Sequence, residues 1–432
     1  MSGTEPGPGA DRPVIFFNRF YAPDHSATAQ ILSDLAEYLA GKGRDVTVVT
    51  SRAIYGQDQG LLPPHEERCG VTVIRTATPG GRRGMAGRIS AYLAYYITAF
   101  FTALRMARRG TILVVKTDPP LLSVPIAIAA RLRGATLVHW VQDLYPEIAG
   151  AYGMRLADGP IGKLFAAIRN WSFRRASAVV AIGDLMAERI ERMGVTRDRI
   201  AVIPNWSNDI DITPLPIRSP ALRQDWGIPA DAFVLEYSGN LGRAHEYDTL
   251  LDAAIALRDR RDIFFLFIGG GHMSEQLAAR VDQLGLTSFR FAPYQPRERL
   301  SESLGAGDAH WVSLRPEFEG LVVPSKVFGI CAAARPVIAV CAMDGELVRL
   351  LEPGYACLAA TPGDAAALAV AITTLADDRP RGDRMGIVAR DILDRHYTKA
   401  RTLERWRALL DRMGPQQMRI VGTAQQNRVS DV

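Results

Sequence analysis

Residues 14–51, VIFFNRFYAPDHSATAQILSDLAEYLAGKGRDVTVVTS, decide the fold. The run VIFF predicts a buried strand, because strands that are covered on both faces are apolar throughout. After a polar loop, apolar residues recur at helical spacing as far as Leu39, and Gly41 and Gly43 end the pattern. The run DVTVVTS predicts the next strand. Strand, loop, helix and strand in this order form a βαβ unit, so the sheet should be parallel and doubly wound.

The same alternation of strands and helices continues along the chain and is interrupted once. The segment IPNWSN ends the first series, and a linker with Pro214 and Pro216 precedes the next strand, FVLEYSGN. The sequence therefore predicts two Rossmann-like α/β domains, over residues 13–205 and 206–395. Residues 391–413 read as one amphipathic helix, and its part over 396–413 could cross back to the first domain. Residues 1–12 are expected to be a disordered lead-in without an apolar signal sequence, and 414–432 a flexible tail.

The charge and the cysteines restrict the class of protein. The net charge is +5, and residues 68–117 contain nine basic residues and no acid: Arg68, Arg75, Arg82, Arg83, Arg88, Arg105, Arg108, Arg109 and Lys116. This local excess indicates an anionic partner, which could be a membrane surface, a phospholipid-like substrate or nucleic acid. No nucleic-acid-binding motif accompanies the charge. The four cysteines are scattered and form no C-x-x-C pair, so buried free thiols are expected rather than a zinc site or disulfides.

The segment between Arg88 and Arg105 is uncharged and rich in apolar and aromatic residues. It is shorter than the ~20 residues that span a bilayer. Its flanking arginines and its Tyr/Phe-rich centre suit a helix that lies in a membrane interface. A core helix of the α/β domain fits the same pattern, so both interpretations stay open.

The segment from Glu319 to Ile338, EGLVVPSKVFGICAAARPVI, places three polar side chains in apolar surroundings. Glu319, Ser325 and Lys326 precede a small-residue helix, where free N–H groups and the helix dipole favour an anion. We expect this segment to hold a diphosphate. A second loop, Gly239-Asn240-Leu241-Gly242, follows a strand and is followed by Arg243, so its backbone could also approach a phosphate.

Seven segments together resemble glycosyltransferase family 4, and in particular its bacterial surface-polysaccharide branch, the colanic-acid and O-antigen type. They are YAPDHSATAQ, VQDLYPE, IPNWSN, YSGNLGRAHEYDTLLDA, FIGGG, EGLVVPSKVFGICAAARPVI and DGELVRLL. The resemblance covers roughly residues 14–412 and implies the GT-B fold, in which two Rossmann-like domains face a cleft. It also implies transfer of a sugar from a nucleotide-diphosphate donor with retention of configuration. Neither a metal nor another cofactor is expected.

The resemblance implies roles for residues of the second domain, which would bind the donor. Loss of the diphosphate needs fixed positive groups, and Lys326 and Arg243 are the candidates. Donor contacts are also expected from Gly239, Asn240, Gly242, Ser325, Gly270 and Tyr294. Glu319 matches the acid that lies beside the donor sugar in relatives, with Glu317 as its competitor. The acid that usually holds the ribose is replaced by Gly329, and Glu346 could take its place.

The first domain would bind the acceptor. Asp143, at the end of a predicted strand, could orient or deprotonate the acceptor hydroxyl. A carboxylate that caps a nearby helix would explain the same residue. His25, in the first loop of this domain, is a candidate cleft residue and is expected to contribute to donor binding.

The expected enzyme is a retaining glycosyltransferase that uses a UDP- or GDP-sugar and a lipid-linked saccharide. It would act on the inner face of the cytoplasmic membrane and contact its anionic surface. Two other functions remain open: a sugar-nucleotide 2-epimerase, and a non-catalytic partner that binds a nucleotide sugar.

Overall fold

A computed structural model describes residues 12–54, 62–76, 85–215, 220–351 and 355–413. The predicted lead-in and tail lie outside these ranges, except for Arg12, and so do Arg82 and Arg83. Within the described ranges, no helix is both long enough and apolar enough to cross a membrane.

The first domain is built on an eight-stranded sheet in the order β3-β4-β2-β1-β5-β6-β7-β8. Its strands are β1 Val14–Phe17, β2 Val46–Ser51, β3 His65–Arg68, β4 Val71–Thr76, β5 Ile112–Lys116, β6 Thr136–Trp140, β7 Ala178–Ala181 and β8 Ile200–Val202. Its helices are α1 Ala27–Gly41, α2 Met85–Met106, α3 Ser123–Arg133, α4 Glu147–Ala151, α5 Arg155–Asp158, α6 Pro160–Arg175 and α7 Asp184–Arg192. Strand β1 pairs in parallel with β2 on one side and with β5 on the other, so the strand order reverses at β1. A crevice for ligands opens at such a reversal, at the carboxyl ends of the strands.

The second domain has a six-stranded sheet in the order β11-β10-β9-β12-β13-β14. Its strands are β9 Phe233–Asn240, β10 Ile263–Gly270, β11 Phe289–Ala292, β12 Ala309–Ser313, β13 Val337–Val340 and β14 Cys357–Ala360. The remaining helices are α8 Pro220–Asp225, α9 Asp248–Ala256, α10 Ser274–Gln283, α11 Leu300–Leu304, α12 Lys326–Ala332, α13 Glu346–Leu351, α14 Ala365–Asp377, α15 Arg379–Ile392 and α16 Lys399–Arg412. All its pairings are parallel in the described residues. The predicted architecture of two doubly wound α/β domains is confirmed.

Four expectations from the sequence were wrong in detail. Strand β3 runs antiparallel to β4 at the edge of the first sheet. The single helix expected over 391–413 is interrupted after a π-helical turn, because Thr398 is extended and its hydroxyl accepts a hydrogen bond from the N–H of Arg401. Cys69 is exposed, whereas the other three cysteines are buried. Arg75 and Lys116 are buried, so they do not contribute to a basic surface.

Helix α16 packs on the first domain, although it follows the second in the chain. Its Trp406 lies with its ring centre 4.5 Å from that of Trp140 at the end of β6. Lys399 pairs with Asp34 of α1 at 2.7 Å, and Asp411 pairs with Arg44. The last helix therefore fixes the end of the second domain to the face of the first sheet that α1 covers.

Candidate active site

The carboxyl ends of the two sheets meet in direct contacts between the domains. The N–H of Leu144, after β6, donates to the carbonyl oxygen of Leu321 at 3.3 Å. The ring of Tyr152 lies 4.9 Å from that of Phe318. The segments VQDLYPE and EGLVVPSK, which the sequence singled out separately, therefore lie side by side at the bottom of one cleft.

Lys326, at the start of α12, extends to the end of strand β9. Its ammonium donates to the carbonyl oxygen of Asn240 at 2.9 Å and lies 5.0 Å from the centre of the Tyr237 ring. Gly239 has a φ of +119°, and a Cβ there would lie 2.9 Å from Cε of Lys326, so a glycine is needed for this approach. Burial lowers the pKa of Lys326 to about 8. A buried ammonium with a lowered pKa would be stabilised by an anion placed beside it.

His245 lies beside Lys326, although the sequence pattern assigned it no role in the site. Its Nε2 is 3.5 Å from the lysine ammonium, and its Nδ1 is 2.7 Å from the carbonyl oxygen of Ser313. Burial and the neighbouring charge of Lys326 lower the pKa of His245 to about 3, so the ring is neutral. Nδ1 must then carry the proton, and Nε2 can accept a hydrogen bond at the lysine. Only the position of His245 in the loop after Arg243 could have suggested this role.

The glycines after β9 and β10 form a surface next to the lysine. The N–H of Leu241 donates to the carbonyl oxygen of Gly270 at 2.7 Å, which joins the two loops. The ring of Tyr294 covers Gly270, 3.5 Å from where its Cβ would be, and is itself exposed. The predicted donor residues Gly239, Asn240, Gly242, Gly270 and Tyr294 are therefore contiguous. Ser325 occupies the N-cap position of α12, but its side chain makes no capping hydrogen bond to that helix.

Glu319 is half-buried, whereas its competitor Glu317 is exposed. Glu319 accepts a hydrogen bond from the N–H of Glu346, the first residue of α13, at 3.2 Å. Burial raises the pKa of Glu319, and the N–H groups of Glu346 and Ala342 oppose the rise. Glu319 is therefore the acid that points inward, and it lies against the start of α13.

Glu346 does not face the donor loops. Its two carboxylate oxygens accept hydrogen bonds from the N–H groups of Asp184 and Leu185, each at 2.9 Å, in the first domain. This carboxylate therefore caps α7 across the domain boundary and points to the first domain. A Cβ at Gly329 would contact Ser207 Oγ and Leu304 rather than the donor loops.

Asp143 belongs to a cluster of charged groups at the ends of β5 and β6. Thr117 Oγ1 accepts hydrogen bonds from the N–H groups of Gln142 and Asp143, both at 3.2 Å. Burial and the charge of Asp118 raise the pKa of Asp143 to about 6, and Lys116 opposes the rise. Burial also lowers the pKa of Lys116 to about 7, although Asp118 and Asp143 oppose it. Asp143 can thus exchange a proton near neutral pH. The sequence pattern did not assign its neighbours Lys116 and Asp118 to the site.

Asp143 and Arg243, which belong to different domains, both affect the pKa of Tyr152. Burial raises the pKa of Tyr152; Asp143 adds to the rise and Arg243 opposes it. Arg243 is exposed on the loop after β9. His25 is also exposed, on the loop after β1. Asp143 of the first domain and Arg243 of the second are therefore both within electrostatic reach of Tyr152.

Two protein families match this chain, one on each domain. Residues 26–206 match the Glycosyl transferase 4-like domain, and residues 232–378 match Glycosyl transferases group 1. The chain belongs to glycosyltransferase family 4. It is an enzyme of the glycosyltransferase class, as the resemblance of its motifs implied.

Relatives and a solved structure agree with this assignment. The putative colanic acid biosynthesis glycosyl transferase WcaI of Escherichia coli is 25% identical over 364 residues, which cover 79% of this chain and 87% of that protein. The probable glycosyltransferase WbjE of Pseudomonas aeruginosa is 26% identical over 329 residues, 74% of this chain and 80% of that one. The crystal structure of Anabaena Alr3699/HepE in complex with UDP superposes with a TM-score of 0.70 at 17% identity, and covers 93% of this chain and 100% of that one. The last comparison establishes the GT-B fold.

Proposed function

We propose that this glycosyltransferase moves a sugar from a UDP- or GDP-sugar to a lipid-linked saccharide, in the synthesis of a cell-surface polysaccharide. The observation that carries the proposal is the Lys326 ammonium, held against the glycine loop at the end of β9, the loop that leads to the exposed Arg243. The names of the curated relatives support the pathway, and the UDP bound to the solved neighbour supports the class of donor. The reaction would retain the anomeric configuration and need no metal.

The residues divide the chemistry between the domains. Lys326 and Arg243 would neutralise the charge that develops on the leaving diphosphate, and burial of Lys326 would make its charge the more effective of the two. Asp143 would orient the acceptor hydroxyl or take its proton, since its raised pKa lies close to neutral. Glu319 would contact the donor sugar. Bound together, donor and acceptor would meet between Tyr152 and the Gly239 loop.

The test is transfer from labelled UDP- and GDP-sugars to lipid-linked saccharides extracted from bacterial membranes, with and without excess chelator. We expect a labelled lipid product in both conditions, and a loss of about 10²–10³-fold in kcat for Lys326→Ala. Lys42→Ala, an exposed change at the end of α1, is the control and should keep full activity. A protein that neither transfers sugar nor hydrolyses any common donor would refute the proposal. NMR of the donor alone would reveal a 2-epimerase as a new sugar-nucleotide signal without acceptor.

A further inference from the structure

Helix α2 carries an apolar stripe on its outer side. Ile89, Leu93, Ile97 and Phe101 follow one another at intervals of four residues, and their exposed fractions lie between 52% and 61%. On the inner side of the same helix, Tyr95, Ala99 and Ala103 are buried in the core. The helix is therefore apolar on both sides, and only the inner one is accounted for by the fold.

Helices α3 and α6 extend this stripe into a surface. The end of α3 joins the end of α2, where Nε of Arg133 donates to the carbonyl oxygen of Ala107 at 2.9 Å. Helix α3 joins α6 through the hydroxyls of Ser123 and Ser172 at 2.9 Å. The large apolar residues that are exposed in the described part of the first domain all lie on α2, α3 or the segment from α4 to α6: Ile89, Leu93, Ile97, Phe101, Ile128, Leu132, Tyr152, Met154, Leu156, Ile161, Leu164 and Phe165. We call the outer side of α2, α3 and α6 the three-helix face.

The charge of the three-helix face has one sign. Helices α2, α3 and α6 contain no Asp or Glu. Exposed basic residues lie on these helices or directly beside them: Arg105, Arg108, Arg109, Arg131, Arg133, Arg155, Lys163, Arg174 and Arg175. The exposed acid nearest in the chain is Asp158, in the turn of α5. Apolar side chains surrounded by cations suit the boundary between the headgroups and the acyl chains of an anionic bilayer.

A basic cavity lies at the end of the stripe. Arg105 follows Phe101 by four residues, so it continues the stripe, and with Arg108 and Arg133 it lines a cavity of about 330 Å³. Thr47, Thr111 and Asp45 complete the polar part of the lining. Three arginines against one carboxylate leave the cavity net positive. It opens at the amino ends of β1, β2 and β5, on the opposite edge of the sheet from the active-site cleft.

We propose that the three-helix face docks on an anionic phospholipid bilayer, with the α2 stripe among the acyl chains and a headgroup phosphate in the cavity of Arg105, Arg108 and Arg133. The other end of the stripe reaches the cleft, because Arg19 of the first loop lies 4.8 Å from the ring centre of Tyr92 and Tyr96 donates to the carbonyl oxygen of Pro120. A lipid-linked acceptor could therefore pass from the bilayer into the cleft without leaving the protein surface. That last step rests on the proposed function, whereas the docking does not.

The test is flotation of the full-length protein with vesicles, without donor or acceptor. We expect the protein to float with vesicles of phosphatidylethanolamine and phosphatidylglycerol in equal amounts, and to bind pure phosphatidylcholine at least tenfold more weakly. Leu93→Glu/Ile97→Glu should weaken binding to the anionic vesicles by about tenfold or more, because two exposed apolar side chains that would enter the acyl region are replaced by charges. Arg105→Ala/Arg108→Ala should weaken it by about tenfold, and mainly on anionic vesicles.

Matched controls come from the second domain. Val370→Glu/Ile387→Glu changes two equally exposed apolar residues, and Arg384→Ala removes an exposed arginine, so all three changes should leave binding unaltered. Binding of UDP, followed as a thermal shift, reports on folding and on the donor site, so its loss is distinct from a loss of docking. The proposal is overturned if the wild type stays with the soluble fraction, or if Leu93→Glu/Ile97→Glu floats as well as the wild type. It is also overturned if that variant merely converts a dimer to a monomer in the absence of lipid, since the face would then join two copies of the chain.

Discussion

The Glu346 carboxylate of the second domain and the N–H of Asp184 in the first are joined by a hydrogen bond of 2.9 Å. A Cβ at Gly183 would lie 2.5 Å from Cδ of Glu346, so only glycine fits at this position before α7. Glu319 in turn accepts from the N–H of Glu346. The acid expected beside the donor sugar is therefore linked through α13 to the contact that holds the two domains together.

Glu346 should stabilise the arrangement of the two domains through this contact. Glu346→Ala removes a charged cap from α7, which should lower the free energy of unfolding by about 2 kcal/mol. It should also let the domains separate, which small-angle scattering would detect as a larger radius of gyration. Glu188→Ala breaks the exposed pair of Glu188 with Arg349, at 2.7 Å across the same boundary, and should change little because exposed pairs are weak. Equal effects of the two changes would contradict this prediction.

Lys326 should act through its charge rather than its size. Lys326→Met keeps much of the side-chain volume, and we expect a loss of about 10²–10³-fold in kcat/KM with an unchanged melting temperature. Since burial lowers the pKa of Lys326 to about 8, the free enzyme should lose the ammonium, and with it donor affinity, as the pH rises above that value. Lys326→Arg should move this loss to higher pH, as measured by UDP binding between pH 6 and 10. An unchanged midpoint would show that another group titrates.

The fold could be predicted from the sequence because its signals are local. Each buried parallel strand is a short apolar run, as in Val14–Phe17, and in the helices apolar residues recur at helical spacing. Strand β3 was missed because its sequence, HEER, is polar and its pairing with β4 lies at an exposed edge. The burial of Arg75 was missed because it depends on distant partners: Glu66 and the carbonyl oxygen of Ala22.

The sequence could group candidate residues that belong to one motif or to neighbouring loops, but not residues that come together where the two domains meet. Lys326 and Asn240 were both named from the sequence, and their contact fits that interpretation. Arg189 could not have been found in this way. It lies on α7 in the first domain, yet its Nε would be 2.8 Å from a Cβ at Gly320, beside Glu319. Such proximity depends on the packing of the domains, which no local pattern encodes.

Gly329 and Gly345 should respond to alanine in opposite directions. A Cβ at Gly329 meets its neighbours at ordinary contact distances, 3.4 Å or more, and alanine favours the helix. Gly329→Ala should therefore raise the free energy of unfolding by up to about 1 kcal/mol without changing UDP affinity. A Cβ at Gly345 would overlap the carboxylate of Glu319, so Gly345→Ala should lower the melting temperature and the rate of transfer. A weaker affinity for UDP in Gly329→Ala would show that position 329 contributes to the donor site.

Glu236 should make the protein less stable as the pH rises. This residue is fully buried in β9, and burial raises its pKa to about 8. Between the ordinary pKa of about 4.5 and this value, the folded state keeps a proton that the unfolded state has lost, so stability falls with rising pH across that window. The total loss is of the order of 5 kcal/mol. Glu236→Gln should flatten the pH dependence of urea unfolding, whereas the exposed Glu275→Gln should not.

Asp118 and Lys116 should shift the acidic limb of the pH–rate profile in opposite directions. If Asp143 must be ionised, kcat/KM should rise with pH through about 6. The charge of Asp118 raises the pKa of Asp143, so Asp118→Asn should move the limb to lower pH. Lys116 lowers that pKa, so Lys116→Met should move it to higher pH. Asp158→Asn, an exposed change on α5, should leave the limb in place. Shifts of the same sign in both variants would mean that Asp143 is not the titrating base. Removal of opposite charges should shift its pKa in opposite directions, whereas a loss of packing gives no reason for such a reversal.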